Sequence, residues 1–284
     1  MNKEKQLKIL DEICPLDKGY RSSIRLVRKK FFDDIQTELQ AYLLGFYTAD
    51  GSFNAKRNTL TIKVSECDKE IIDLYKVISP DAYCQHLEAT KMIGPGGREI
   101  NVKPVERINI ANKHLGETIT NLGLGERKTY KDLRIPDMRE DLIRHFIRGY
   151  FDGDGCITYH ASPPNINNRE KNYKLKVLVQ WVSKTRSLLD MVCSFLKKHD
   201  IVGSVLFIKR KDYFVLNICR KEHVKKLFRL LYTDSNFYLS RKYNKFNCYA
   251  NTEESQLIAD LRNAQELSAS NSNNAPKSAE HPIS

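Results

Sequence analysis

The sequence lacks the features that mark several large classes of protein. Its seven cysteines are scattered and include no Cys-x-x-Cys pair, which argues against both a structural zinc site and a disulfide framework. No long apolar run is present, so the sequence predicts no membrane span. No signal peptide is evident, and the acidic residues near the N-terminus do not fit a transit peptide. We therefore expect a reduced, soluble protein inside the cell.

Charge of one sign is in excess. The chain has 47 Lys and Arg against 35 Asp and Glu, a net charge of +12, and a hydrophobic fraction of 41% that allows a real core. Residues 1–38 carry +2, residues 39–249 carry +13 and residues 250–284 carry −3. A basic central region indicates a polyanionic partner. Nucleic acid fits better than a membrane, because no basic amphipathic anchor is present.

One stretch occurs twice in the chain. The first copy spans Leu39–Gly51 and the second spans Ile143–Gly155. Apolar residues coincide at offsets of three and four, which predicts an amphipathic helix in each copy. Small residues also coincide, and we expect them to let the two helices pack closely against each other. These proposed interface residues are Gly45, Ala49, Gly149 and Gly153.

Each predicted helix ends with an acid followed by a glycine. Asp50 precedes Gly51, and Asp154 precedes Gly155. A carboxylate is poorly placed at the negative end of a helix dipole. A single Asp-Gly pair is typical of a simple turn. Two such pairs on helices that can pack side by side favour a shared carboxylate cluster that binds a cation.

The same order of elements follows each copy. Alternating apolar and polar residues predict strands over Thr59–Ser65 and Lys174–Ser183, among others. Second hairpins are predicted from Ala82–Thr90 with Pro104–Ala111, and from Ser204–Lys211 with Tyr213–Arg220. We therefore predict an α+β protein with two pseudo-symmetric αββαββα halves, each a four-stranded antiparallel sheet. The motif helices would pack at the central interface.

The segments LLGFYTADG (Leu43–Gly51) and IRGYFDGDG (Ile147–Gly155), 104 residues apart, resemble the two motifs of a monomeric LAGLIDADG homing endonuclease. Thr48 replaces the first acid of copy one, a position that is not the family's metal ligand, and Arg148 is unusual in copy two. The resemblance covers roughly residues 39–247. It implies a site-specific double-strand DNA endonuclease that hydrolyses phosphodiesters with Mg²⁺ or Mn²⁺ and leaves short 3′ overhangs.

The resemblance also implies the site residues. The last acid of each motif and the carbonyl before it would hold the metal ions, which points to Asp50 and Asp154 with the carbonyls of Ala49 and Gly153. Family lysines that follow the last helix of each half polarise the site and orient water. The matching Arg-Lys pairs here point to Lys128 and Lys242 as further catalytic residues.

The polar faces of the two sheets would form a saddle on double-stranded DNA, since the central region is basic and β-surfaces can reach base edges in the major groove. The predicted DNA-contacting residues are Asn54, Lys56, Thr61, Lys63, Arg107 and Asn109 in the first half, and Thr158, His160, Lys174, Lys176, Gln180, Lys209 and Arg210 in the second.

The predicted organisation has four parts: a helical and basic N-terminal extension (1–38), one half over 39–135, a second half over 136–249, and a C-terminal helix with a disordered tail (250–284). The expected protein is a monomer that acts where its DNA lies, in the cytoplasm of a prokaryote or a phage-infected cell or in an organelle, as an intron-homing or other mobile-element enzyme. Two alternatives stay open: an intron maturase that binds structured RNA with the same scaffold, and a non-catalytic DNA-binding regulator.

Overall fold

The computed structural model describes residues 2–17, 26–94, 97–164 and 172–273 of the chain. A short helix, α1 (Lys3–Ile13), opens the described part. The predicted disordered tail, Ser268–Ser284, is wrong for residues 268–273, which belong to a helix (Glu254–Asn273), and its remaining residues lie outside these ranges. Most of the loop between Ser162 and Tyr173 and part of the N-terminal basic segment also lie outside them. Along the described chain, no helix is both long and apolar enough to cross a bilayer.

The first half follows the predicted order with one insertion. Its elements are α2 (Glu38–Asp50), β1 (Gly51–Asn54), β2 (Thr59–Ser65), α3 (Glu70–Tyr75), β3 (Tyr83–Leu87), β4 (Thr90–Ile93), β5 (Glu99–Val102), β6 (Val105–Ala111) and α4 (Lys113–Asn121). The four strands β1-β2-β6-β3 form one antiparallel sheet. The predicted strand Ala82–Thr90 is too long: it ends at Leu87, and β4 and β5 form a separate exposed hairpin where a loop was expected.

The second half repeats the pattern. Its elements are α5 (Glu140–Asp154), β7 (Gly155–Ser162), β8 (Lys174–Ser183), α6 (Arg186–Lys198), β9 (Ser204–Ile208), β10 (Tyr213–Ile218) and α7 (Lys221–Tyr232), followed by α8 (Ser240–Asn251) and α9 (Glu254–Asn273). The sheet order β7-β8-β10-β9 matches that of the first half. The predicted α+β fold with two αββαββα halves is confirmed, whereas helix α8 was not predicted.

Local sequence explains why the first motif helix begins where it does. The Thr37 side chain accepts a hydrogen bond from the Gln40 amide, and the Gln40 side chain accepts one from the Thr37 amide. This capping box satisfies two helix-end donors reciprocally. From Glu38 to Thr48 every residue of α2 is buried, because α5 packs along it and both sheets flank the pair.

Each sheet buries one face and exposes the other. In β2 the buried residues are Leu60, Ile62 and Val64, and they alternate with Thr61 and Lys63. The helices cover the buried faces, which join in one continuous hydrophobic core. We call the opposite faces the outer faces. Since β1 and β7 begin directly after α2 and α5, the two outer faces start on either side of the motif-helix ends.

Candidate active site at the ends of the motif helices

The motif helices α2 and α5 cross at backbone contact. A Cβ atom on Gly45 would lie 2.0 Å from the Phe146 carbonyl oxygen, and one on Gly149 would lie 2.0 Å from the Tyr42 carbonyl oxygen. Real Cβ atoms do not approach a backbone this closely, so a side chain at either position would force the helices apart. The structure thus brings both glycines of the proposed interface to the crossing point.

The second small pair lies one turn nearer to the acids. A Cβ on Gly153 would lie 2.3 Å from the Ala49 Cβ and 3.3 Å from Oδ2 of Asp50. Asp50 and Asp154 are the last residues of α2 and α5. The crossing therefore places the Asp50 carboxylate beside the end of α5 and makes the two acids neighbours.

The two acids share an electrostatically costly position: each residue is exposed to solvent, but the protein atoms around it partly desolvate its carboxylate. Burial raises the pKa of Asp154 to about 6, and the charge of Asp50 contributes to this rise. Burial also raises the pKa of Asp50, while the ammonium groups of Lys242 and Lys128 counteract it. Two acids with raised pKa values at the negative ends of two helices form a site that a bound cation would stabilise.

The glycine after each acid follows the last residue of the helix and packs against an aromatic ring of that helix. Gly51 and Gly155 adopt extended backbone, with φ of −72° and −84°, and not the left-handed conformation of a helix-ending glycine. A Cβ on Gly51 would lie 2.2 Å from the Tyr47 ring, and one on Gly155 would lie 2.0 Å from the Phe151 ring. These glycines are required for close packing, which lets the chain pass directly from helix to strand.

Lys128 is held against the end of α2. Its Nζ donates to the carbonyl oxygens of Thr48 at 2.7 Å and Ala49 at 2.9 Å. The residue begins a short 3-10 turn, Lys128–Tyr130, and is buried. Burial lowers its pKa to about 8, against the opposing effect of Asp154 and Asp50. A cation here satisfies helix carbonyls that have no partner within the helix.

Lys242 makes the equivalent contacts at the end of α5. Its Nζ donates to the carbonyl oxygens of Phe151, Gly153 and Gly155 at 2.7–2.9 Å. Burial lowers the pKa of this lysine too. Lys242 lies in the first turn of α8, a helix that the sequence analysis did not find. The structure therefore brings both predicted lysines to the two acids.

The donors present fit a hard divalent cation. Asp50 and Asp154 supply carboxylate oxygens, and Mg²⁺ often uses few protein ligands because it keeps much of its water. Within the described ranges, no group of three or more His, Cys, Asp or Glu side chains could hold a metal ion. The carbonyls of Ala49 and Gly153 already accept hydrogen bonds from the lysines, so each would offer a cation its second lone pair.

The predicted DNA-contacting residues of the first half lie mostly on one outer face. Thr61, Lys63, Arg107 and Asn109 occupy facing positions in β2 and β6, and the Thr61 hydroxyl donates to Oδ1 of Asn109 at 2.8 Å. Asn54 ends β1, and exposed Lys56 lies in the 3-10 turn that follows it.

In the second half the agreement is incomplete. The predicted residues of β7 and β8 share the outer face: Thr158, His160, Lys174, Lys176 and Gln180. Lys209 and Arg210 were predicted to lie in a strand, but β9 ends at Ile208 and the two residues lie in a 3-10 turn. Asn217 was missed: it accepts a hydrogen bond from Gln180 at 2.8 Å, and the alternation within β10 could have revealed it.

A buried ion pair, also missed, joins the two halves. Arg148 on α5 is fully buried, and its guanidinium contacts the Glu38 carboxylate at 2.7 Å and donates to the carbonyls of Leu231 and Phe237. Glu38 also accepts from the Asn236 amide at 2.7 Å. The network ties α2, α5 and the segment after α7 together. Its signal was Arg148, an unusual residue within the second motif.

A second network positions the start of α8. The buried Asp152 carboxylate accepts hydrogen bonds from the hydroxyls of Tyr42 and Tyr232 and from the Leu239 amide, at 2.8–2.9 Å. Leu239 is the residue before α8, which carries Lys242. Asp152 thereby connects the second motif helix to the lysine that contacts its end.

Glu70, from the first half, caps α8. Its carboxylate accepts from the Ser240 amide at 2.7 Å and from the Ser240 hydroxyl at 2.6 Å. We predict that Glu70→Ala lowers the free energy of unfolding by about 1 kcal/mol, as the loss of a helix N-cap does. Urea denaturation would measure it, with Glu66→Ala, at an exposed position nearby, as the control. An unchanged midpoint for Glu70→Ala would show that this cap is dispensable.

Comparison with known proteins agrees with this geometry. Residues 141–232 match the family model described as a LAGLIDADG-like domain. An uncharacterized protein of Methanocaldococcus jannaschii is 27% identical over 185 residues, which cover 62% of this chain; the match spans about 60% of the length of that relative.

The solved structure of one meganuclease shows the same fold. The LAGLIDADG meganuclease I-AabMI, bound to uncleaved DNA, is 12% identical and has a TM-score of 0.51, with 81% of this chain and 98% of that chain covered. The meganuclease I-SmaMI, bound to uncleavable DNA, is 10% identical and has a TM-score of 0.49, with 81% and 97% covered. Residues 141–232 therefore match a LAGLIDADG-like domain, and the chain has the fold of the LAGLIDADG meganuclease I-AabMI.

Proposed function

We propose that this chain is a monomeric, site-specific endonuclease that hydrolyses double-stranded DNA with a divalent metal. The observation that carries the proposal is the meeting of Asp50 and Asp154 at the crossing of the motif helices, where both outer faces begin. A duplex lying along the two outer faces would pass over the two acids. The solved meganucleases with this fold were determined with DNA bound.

The residues of the site would divide the work of phosphodiester hydrolysis. Asp50 and Asp154, with the carbonyls of Ala49 and Gly153, would hold Mg²⁺ or Mn²⁺. A divalent cation supplies charge neutralisation at the scissile phosphate and helps to activate the attacking water.

Lys128 and Lys242 would add positive charge next to both acids and keep the helix ends in place, since each donates to carbonyls beside them. The two acids are neighbours, so we expect the two strands to be cut close together across a minor groove. This spacing would leave the short 3′ overhangs implied by the family resemblance.

Selection from a library of random DNA duplexes tests the proposal. The full chain would be incubated with the library and Mg²⁺, with a chelator in the control, and the broken ends would be sequenced. We expect metal-dependent breaks at one defined sequence with 3′ overhangs. Specific binding without breaks would instead favour a non-catalytic regulator, and preference for structured intron RNA would favour a maturase.

Binding should depend steeply on salt. The region 39–249 carries a net charge of +13, and each contacted phosphate contributes about −0.9 to the slope of log K against log salt concentration. If six to ten phosphates are contacted, affinity should fall about 10³- to 10⁵-fold between 50 and 200 mM salt. Titrations without Mg²⁺ would measure this slope. An affinity that does not change with salt would contradict a basic DNA-binding surface.

A further inference from the structure

The two sheets correspond residue by residue. Gly51 pairs with Ile62 in the first half, and Gly155 pairs with Trp181 in the second. This register makes Thr61 equivalent to Gln180, and it makes Asn109 equivalent to Asn217. The two equivalent pairs make the same hydrogen bond, each at 2.8 Å. At these equivalent positions the outer faces of the two halves are alike.

The next row of paired residues on the outer faces differs completely between the halves. In the first half it consists of Lys63, Arg107 and Gln85, which pair across β2, β6 and β3, and we call it the cationic row. The equivalent positions in the second half, across β8, β10 and β9, are Val182, Val215 and Leu206, and we call them the apolar row.

Each row lies level with one acid. Ile62 pairs with Gly51, so the neighbouring Lys63 stands beside the end of the helix that carries Asp50. Val182 has the same relation to the helix that carries Asp154. Whatever contacts these rows therefore lies next to the centre of the site.

The apolar row forms a small hydrophobic patch on the outer face of the second sheet. Val215 is only 2% exposed, although its pairing with Val182 and Leu206 places it on the outer face. Leu206 pairs with Val215 and is 48% exposed. The exposed Leu206 therefore lies beside a buried valine on the outer face. The turn directly after β9 is cationic and exposed, with Lys209, Arg210 and Lys211.

The cationic row is only partly satisfied by the protein. The Arg107 guanidinium donates from one terminal nitrogen to the Gln85 side-chain oxygen. Its buried Nε atom has no hydrogen-bond partner among the described residues. Lys63 beside it is exposed. The exposed Lys63 ammonium can therefore reach an acceptor outside the chain, directly beside Arg107.

We propose that the cationic row reads guanine and the apolar row reads thymine, on either side of the cut. This inference rests on the proposed function. In the major groove guanine offers O6 and N7 to arginine or lysine, whereas thymine offers its C5-methyl group to apolar side chains. The cationic row then selects guanine in its half-site, and Leu206 selects thymine at the equivalent position of the other half-site.

Base analogues test the thymine contact, because each analogue removes a single chemical group from the base. In a duplex obtained by the selection described above, each thymine of the half-site next to the apolar row is replaced in turn by deoxyuridine, which lacks only the methyl group. Affinity is measured without Mg²⁺, so cleavage is not needed. We expect one replacement to weaken binding about 3- to 10-fold, as loss of a buried methyl group does.

Protein variants assign that effect. Leu206→Ala should bind the thymine and deoxyuridine duplexes equally, and its melting temperature should stay close to that of the parent, because Leu206 is half exposed. Val202→Ala is the matched control: this residue is exposed too but precedes β9, so discrimination should persist. In the half-site next to the cationic row, replacing guanine by 7-deazaguanine, which lacks N7, should weaken binding by the parent. Arg107→Gln should abolish this difference in affinity.

The outcomes separate the two proposals. A duplex that is bound or cut with specificity, but shows no deoxyuridine effect or has no thymine at that level, overturns this inference and leaves the proposed function intact. If Leu206→Ala still distinguishes the thymine duplex from the deoxyuridine duplex, this inference is also overturned. It is overturned as well if Leu206→Ala changes self-association but leaves DNA binding unchanged. If no duplex is bound with specificity, the proposed function fails and this inference fails with it.

Discussion

Asp154→Asn is expected to abolish double-strand cleavage and leave duplex binding almost unchanged. The substitution removes a metal-binding charge but hardly changes the volume of the side chain. A metal ion contributes several kcal/mol of transition-state stabilisation, so we expect a loss of at least about 10³-fold in rate. Asp50→Asn should behave in the same way, because the two acids share one site. Cleavage assays and binding titrations on the selected duplex would measure both effects.

The same variant should be more stable than the parent at neutral pH when metal is absent. Burial and the neighbouring Asp50 raise the pKa of Asp154 from 3.8 to about 6. The folded state therefore binds this proton more tightly than the unfolded state. Because Asp154 is exposed and water screens its charge, the ionised carboxylate destabilises the fold by about 1 kcal/mol or less above pH 6. This penalty shrinks as the pH falls through 6 towards 3.8.

Thermal melts across that pH range in a chelator give the measurement. We expect Asp154→Asn to melt roughly 2 °C above the parent at pH 7 and to show no advantage near pH 4. Asp137→Asn, at an exposed position, is the control and should change neither stability nor cleavage. A variant that cuts at the parental rate would remove Asp154 from the mechanism, and one that melts lower at pH 7 would show that its charge is compensated.

Gly149→Leu and Gly45→Leu are expected to lose both stability and cleavage. A Cβ at either position would lie 2.0 Å from a backbone carbonyl oxygen of the other motif helix, so the helices must separate. Overpacking typically costs about 1–3 kcal/mol, and contact with a backbone that cannot rotate away places these variants at the upper end, about 3 kcal/mol. A shift of about 1 Å at the acids would reduce cleavage by about 10²-fold.

Denaturation and cleavage assays would test this, with Gly116→Ala as the control. In α4 a Cβ on Gly116 meets only the far end of the Phe53 side chain, at 2.8 Å, which can move. That variant should therefore be nearly neutral, with a gain in helix propensity of up to about 1 kcal/mol. Leucine variants of Gly45 and Gly149 that melt higher than the parent and still cut DNA would contradict the helix crossing.

The sequence by itself determined the duplicated architecture. Periods of two and of three to four are local properties, so they located the motif helices and most strands of both sheets. The coincidence of Gly45 with Gly149 indicated the faces on which the helices cross. The charge of the central region indicated a polyanionic partner, because composition does not depend on how the chain folds.

Only the tertiary structure decided how distant segments meet. No pattern near Lys242 shows that its ammonium group reaches three carbonyls at the end of α5, because 87 to 91 residues separate the partners. The contacts of Arg148 with Glu38 and of Asp152 with Tyr42 likewise depend on the packing of one half on the other. Helix α8 is weakly patterned, and its start is fixed by Glu70 and Asp152 from elsewhere in the chain.

The outer faces show the same division. Alternation predicted that polar residues such as Thr61 and Gln180 share a face with their neighbours. It also places Val215 on the face of Asn217, but it could not show which residues of the neighbouring strands lie beside that valine. Strand pairing is a long-range property, and only the register of β10 against β8 and β9 makes Val215 equivalent to Arg107 and Leu206 equivalent to Gln85.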